Sequence, residues 1–441
     1  MTRNPLRTDF AKLWTALSIS LVGSEITMLA LPLIAARTLG STAFEMGVLA
    51  GVGQAPFLLF SLPAGAWVDR LPRRPMLIAT DVGSALLLLS IPIATIFGGP
   101  TYLQLCVVAF GIGTFALLYD LGHYAYVPAL VGRGQLTKFN SRLQISHSAA
   151  AAGGPGVAGL LIQLLSAPIA VLADAVSFLF SALLLRAIRK QEPPVDVQDQ
   201  AGGMLSAVRD GLRMLLGHRL LRPIVAISVP NGFFESGLLA LYILYATRNL
   251  HLSPVLIGVI FAAGGFGAIP GAILADRSGA RFGVGRTIIG GYALAGLAAL
   301  LVPLAVGPTA AIVAILMLGK WFGGITDAAA NIHQWTLRQV VTPDRLAGRV
   351  TAGHRFLVYG ACALGAVASG GLGSVVGVRA ALFVFAVGML VSPLIALPSP
   401  LRDLRDQPAD VDDHPLADAE RPTPPHGSEP IPGGAAPVAG R

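Results

Sequence analysis

The chain has 441 residues, 54% of them hydrophobic and only 12% charged, with a mean hydropathy of +0.70. This balance excludes an ordinary soluble globular domain and predicts a polytopic membrane protein. A net charge of +8 would suit a nucleic-acid binder if it were gathered on one soluble face; here Lys and Arg are scattered through short loops between apolar runs, so no nucleic-acid partner is expected.

Runs able to cross about 30 Å of hydrocarbon at about 1.5 Å per residue fall at 13–36, 43–68, 75–98, 101–127, 141–165 and 168–188. They resume at 222–247, 254–275, 286–306, 309–335, 351–374 and 378–397. The fold class read from them is an all-α membrane protein of twelve transmembrane helices in two six-helix halves, 13–188 and 222–397. Residues 1–12 form a cationic N-terminal segment. The run that follows is too long for the apolar stretch of a signal peptide and contains Glu25, so it is read as a retained first helix.

Segment 189–221 is the linker between halves, with mixed charge and Pro in Gln191-Glu-Pro-Pro-Val-Asp. From Leu205 to Leu216 apolar residues recur at helical spacing opposite Arg209, Asp210 and Arg213, which suits either a helix on the membrane surface or a solvated connector. Residues 398–441, rich in Pro, Asp and Gly without apolar periodicity, are expected to be a disordered tail. All Lys and Arg except Arg37, Arg248, Arg379 and the intraspan Lys320 fall on the side of the two termini, which predicts that both termini are cytoplasmic.

The turn after the second run, Gly65-Ala-Trp-Val-Asp69-Arg70-Leu-Pro-Arg73-Arg74, is too polar to stay in hydrocarbon. Its counterpart is Asp276-Arg277-Ser-Gly-Ala-Arg281, with Asp276 lying 207 positions after Asp69. Asp120 and Asp327 have the same separation, Ser18 to Glu25 matches Ser228 to Glu235 at 210, and Asn140-Ser141-Arg142 matches Gly348-Arg349-Val350 near that offset. The chain is therefore read as a duplicated half.

The basic turn resembles the signature loop of the major facilitator superfamily of secondary transporters. Gly154-Pro155-Gly-Val-Ala-Gly159, in the fifth span, resembles the Gly-Pro motif of its antiporter, mostly drug-exporting branch. With Val127-Pro128-Ala-Leu-Val and Gly348-Arg349-Val350 the pattern over residues 10–397 is most similar to the enterobactin-exporter and macrolide-efflux type. The resemblance implies two halves rocking about a midplane cavity lined by spans one, four, seven and ten. It also implies a small-molecule substrate, a functional monomer in the bilayer of the bacterial cytoplasmic membrane, and a proton gradient in place of any cofactor. Glu25, Asp120, Glu235, and Lys320 with Asp327, fall on those four spans in that order.

Glu25, Glu235 and Lys320 are the deepest charges by distance along their runs, and an ionisable side chain deep in a span is expensive unless it is used or paired. A carboxylate there can accept a proton from one side and release it to the other, with Lys320 opposite Glu235 or Glu25 keeping one of them ionised. A buried ion pair that only fixes packing is the alternative. Asp120 and Asp327 lie nearer the basic ends, where pairing with loop arginines competes with proton carriage. Asp81 and Asp174, on spans three and six, are read as packing or gate residues.

Tyr119, Phe233, Phe234, Tyr242, Trp321 and Phe322 are candidate cavity aromatics. Gly65, Asp69, Arg70, Arg73, Arg74, Asp276, Arg277 and Arg349 are candidate parts of a cytoplasmic gate, a loop aspartate latching against an opposing arginine or helix end. Gly154, Pro155 and Gly159 bend and pack the fifth span. The histidines show no zinc spacing, and Cys106 and Cys362 read as small core residues, so no metal is expected. One departure from the family pattern stands out: Tyr102 to Val127 carries no arginine, which many drug-proton antiporters have in the fourth span.

The function read from this pattern is proton-coupled export of small amphiphilic compounds such as an antibiotic, drug or siderophore, with a cationic or zwitterionic substrate favoured. An importer of the same fold and a non-transporting sensor remain open. No nucleophile elbow, zinc-type spacing or phosphate-binding loop supports an enzyme or an ATP-driven pump.

Overall fold

The computed structural model describes residues 5–68, 71–131, 136–189 and 204–406, and all the regular structure there is helical. Asp69 and Arg70 of the basic turn, residues 190–203 of the linker and 407–441 of the tail lie outside the described residues. Twelve helices are long and apolar enough to cross a membrane. The first half comprises α1 (Pro5–Leu33), α2 (Ala43–Val68), α3 (Arg73–Ile96), α4 (Tyr102–Val131), α5 (Leu136–Leu165) and α6 (Ala167–Arg186). A short helix, α7 (Met204–Gly217), precedes the second half. That half comprises α8 (Leu221–Arg248), α9 (Pro254–Phe282), α10 (Val284–Ala299) continued by α11 (Leu301–Leu304), α12 (Thr309–Val341), α13 (Asp344–Val376) and α14 (Val378–Val391).

At the basic end the helices outrun the hydrophobic runs. Hydropathy marks only the length of chain that lipid must solvate, whereas a helix can continue into the polar headgroup layer. Thus Asp276 to Arg281, expected in a turn, is helical, and the break falls at Gly283, whose φ of 90° suits glycine. Residues 398–406 depart from the expected disordered tail. Val284 N–H donates to Arg405 O at 3.0 Å and Gly285 N–H to Leu404 O at 3.0 Å, so this stretch caps the start of α10, with Leu401 fully buried.

The duplication shows in the packing. Within each half the first helix packs on the fifth and sixth, and the third on the fourth and sixth. Between halves the two main seams are α2 against α13 and α5 against α9, equivalent pairs in the duplicated order. Lipid gives no hydrophobic drive for such contacts, so they rest on close backbone approach. A Cβ at Gly47 would lie 2.5 Å from Ala366 O and 2.8 Å from Gly370 Cα; in the other seam Gly258 meets the Pro155 carbonyl and lies against Gly159. At the end opposite the basic loops, one apolar cluster joins both halves through Leu33 to Ala36, Leu241 to Ala246 and Leu252.

Gly258→Val is predicted to destabilise the folded protein by about 1–3 kcal/mol through overpacking of the α5–α9 seam. Gly290→Val, where an added Cβ meets nothing within 4 Å, is the control. Thermal unfolding of both in detergent reads the difference.

Candidate functional site

A cavity of about 450 Å³ lies mainly in the first half, between α1, α2, α4 and α8. Its wall is largely apolar, with Met28, Met46, Leu49, Ile112, Ile243 and the ring of Phe261. Its polar groups are Ser24, Glu25, Thr27, Gln54, Asp174 and Ser236: two carboxyls and no basic side chain. A pocket of this size suits a drug-sized molecule, oriented by a few polar groups.

Glu25 projects from α1 and meets α5 at Gly154. A Cβ added there would lie 2.6 Å from Glu25 Cγ and 2.8 Å from its Cβ, so the absence of a side chain makes room for the glutamate. Pro155, the next residue, lines the same cavity, and its carbonyl abuts Gly258 of the second half. The Gly-Pro element therefore links the deep glutamate to a seam between halves. No hydrogen bond or ion pair ties the Glu25 carboxylate among the described residues.

In the second half Lys320 makes no direct ion pair with a described carboxylate. Its ammonium lies 4.5 Å from the Phe261 ring centroid and 5.0 Å from that of Tyr242, a two-ring cation–π cage behind the cavity wall. Glu235 and Asp327 are its charged neighbours at longer range. Each of those carboxylates accepts a bond from an asparagine one turn along, Asn231 at 3.4 Å and Asn331 at 3.2 Å.

The other aromatics serve elsewhere. Phe233 and Phe234 pack on Phe385 of α14, each with ring centroids 5.6 Å from it, and neither lines the cavity. Trp321 and Phe322 meet edge to face at 5.8 Å and are outside the lining. Tyr119 faces Asp81 and Ser181 inside the first half.

At the basic end Asp120 of α4 pairs with Arg355 of α13 at 3.3 Å, joining the halves. Arg349 pairs with Asp210 of α7 at 3.0 Å; Asp69, the loop aspartate for which Arg349 and Arg355 are both candidate partners, is outside the described residues. Arg74 donates to Leu185 O at 3.0 Å and Arg186 O at 2.6 Å, capping the end of α6, while Arg73 is half-buried at the start of α3. Gly65 lies within α2, and Asp276 and Arg277 are exposed on α9. At the opposite end two arginines cross between halves. Arg37 donates to Leu252 O at 2.7 Å, and Arg248 to Ala36 O at 3.1 Å. Each sits at the end of the first helix of its own half, Arg37 on a π-turn, and each satisfies a carbonyl of the other half.

The Major Facilitator Superfamily profile matches residues 13–366. This chain belongs to that superfamily of transporters. It is 27% identical over 402 residues to the multidrug efflux pump Tap of Mycolicibacterium fortuitum, covering 87% of this chain and 93% of that protein. It is 24% identical over 397 residues to the enterobactin exporter EntS of Salmonella choleraesuis, covering 88% and 91%. Among solved structures, a bacterial homolog of the human lysosomal transporter Spinster, in an inward-facing and unoccupied conformation, superposes with a TM-score of 0.69. The sequence identity there is 14%, over 93% of this chain and 100% of that one. The chain is thus a facilitator-superfamily transporter, not an enzyme.

Sequence reasoning missed several residues of this transporter's cavity. Phe261 and Gln54 escaped because α9 and α2 are not among the helices expected to line it, and Gln54, a lone amide in an apolar run, carries no charge and so fell outside the test that singled out Glu25. Arg37 and Arg248 were visible as exceptions to the charge asymmetry at matching places in the repeat. With Cys106 and Cys362 replaced by Ser and Ile243→Cys introduced in the cavity wall, Arg37→Gln combined with Arg248→Gln is predicted to speed labelling by an impermeant maleimide from the Arg37 side. An unchanged rate would show that the arginines do not hold that end closed.

Proposed function

We propose that this transporter exports small amphiphilic organic cations or zwitterions, of the drug or siderophore kind, across the bacterial cytoplasmic membrane in exchange for protons. The observation that carries the reading is Glu25, a carboxylate in an apolar cavity, fitted against Gly154 and beside Pro155, with no cation paired to it among the described residues. Such a group binds either a proton or the positive charge of a substrate, and competition between the two couples their movements.

The basic end is taken as cytoplasmic, which makes the closed opposite end periplasmic. Closure there rests on the shared apolar cluster and the crossed arginines, and it supports an inward-facing state. Substrate entering from the inner side meets Met28, Met46 and Phe261, surfaces that adapt to varied shapes, and displaces the proton from Glu25. The halves then rock about the α2–α13 and α5–α9 seams. The activities of the Tap and EntS relatives, multidrug efflux and enterobactin export, favour this direction.

In inverted membrane vesicles, dye uptake driven by an imposed pH gradient is predicted to collapse with the gradient. Glu25→Gln is expected to lower it by about a hundredfold, the size of effect typical of removing a proton-transfer group. Gly154→Ala, which crowds Glu25, should give a partial loss. Uptake indifferent to the gradient and to Glu25→Gln would refute proton coupling.

A further inference from the structure

Behind the cavity, the first half buries a second set of ionisable groups. Asp81 of α3 and Asp174 of α6 are each 1% exposed. Asp174 lines the cavity, presses on Gly23 of α1, accepts a hydrogen bond from Thr27 and another from Ser177 at 3.0 Å. Asp81 lies deeper, with Asp174, Ser181 and Tyr119 as its polar neighbours. Both Asp81 carboxyl oxygens, the Ser181 hydroxyl, which is 0% exposed, and the Tyr119 hydroxyl are buried without a hydrogen-bond partner.

An ionised Asp81 held this way forfeits its hydration with little beyond the nearby Ser181 hydroxyl to offset it. The groups facing the pair from α1, α3, α4 and α6 are Thr27, Asp81, Asp174, Ser177, Ser181 and Tyr119; no Lys, Arg or His is among them. Two carboxyls without a cation need at least one proton between them.

The fold does not require acids here. At the matching places of the second half, 207 positions on, Asp81 is replaced by Ile288 of α10 and Asp174 by Ala381 of α14, both fully buried and apolar. The same packing problem is solved there without charge. The carboxyl pair is therefore an addition to one half of a duplicated scaffold, placed beside the cavity that holds Glu25.

We propose that Asp81 and Asp174 are a proton-binding pair of the transport cycle, reached from the cavity through Asp174. This rests on the proton-coupled reading above. With one proton the pair carries a single negative charge in place of two. A second proton, arriving from cavity water at Asp174, makes the pair neutral and removes the field that attracts a cationic substrate. When substrate enters, that proton leaves from Asp174 to cavity water, and the charge balance around the site is kept.

Purified protein in lipid nanodiscs tests the resting proton directly. Infrared spectra at neutral pH are predicted to show a protonated-carboxyl C=O band that is lost in Asp81→Asn and retained in Glu25→Gln. Wild type without such a band, or a band unaffected by both Asp81→Asn and Asp174→Asn, would overturn the proposal even if one variant folds poorly. In proteoliposomes, with ethidium as the probe, Asp81→Asn is predicted to lose gradient-driven accumulation but keep exchange of ethidium in counterflow, and Asp81→Glu to regain accumulation with a shifted pH profile. Wild type that responds to the pH gradient together with an Asp81→Asn that behaves identically refutes the pair alone. Wild type indifferent to the gradient, or driven by sodium, refutes the coupled reading and the pair with it.

Discussion

In the proposed cycle, the contact between Glu25 and Gly154 joins the chemistry of this transporter to its moving parts. A glutamate in an apolar cavity can lie against a helix only where that helix has no side chain, and Gly154 supplies the place. Pro155 follows at once, lining the cavity on one side and touching Gly258 across the seam on the other. Glu25 is thus one residue away from the α5–α9 seam between the halves. Against an apolar wall such a charge is weakly screened, which is why the proposed cycle lets one proton decide which packing is preferred.

The duplication supplies the second constraint. Arg37 meets the Leu252 carbonyl in the connection between α8 and α9, and Arg248 meets the Ala36 carbonyl in the π-turn that ends α1, so each half satisfies a carbonyl of the other. These bonds are local, and breaking them costs little beside the loss of a glycine seam. The end they close can therefore open without the halves separating. At the basic end the Asp120–Arg355 pair bridges the halves with a different element pair, α4 and α13. The proposed cycle has the two halves pivot by exchanging one set of small polar contacts for another while the glycine seams persist.

Much of the architecture was legible in the sequence because lipid imposes a strict rule on length and polarity: Leu13 onward and each later run had to be helical. Glu25 and Pro155 were legible for the same reason, as costly residues in an apolar setting. What the sequence did not carry is who meets whom. Lys320 looked like a partner for a glutamate and instead sits over Phe261 and Tyr242, because cation–π geometry leaves no mark in spacing. Phe233 and Phe234 looked like cavity rings but face Phe385, since a helix that borders a cavity has other faces to fill. Asp81 and Asp174 stood far apart in sequence, and only tertiary packing brings them together.

The claim that the proton on Glu25 chooses between the two ends is tested most directly by pulsed electron–electron distances from spin labels. One pair, at Thr42→Cys and Asn249→Cys, reports the end closed by the crossed arginines. The other, at Gln144→Cys and Ala280→Cys, reports the basic end. Acidification should change the two distances in opposite senses, and Glu25→Gln should abolish the change or move its midpoint. Distances that ignore pH, or that change alike at both ends, would contradict it.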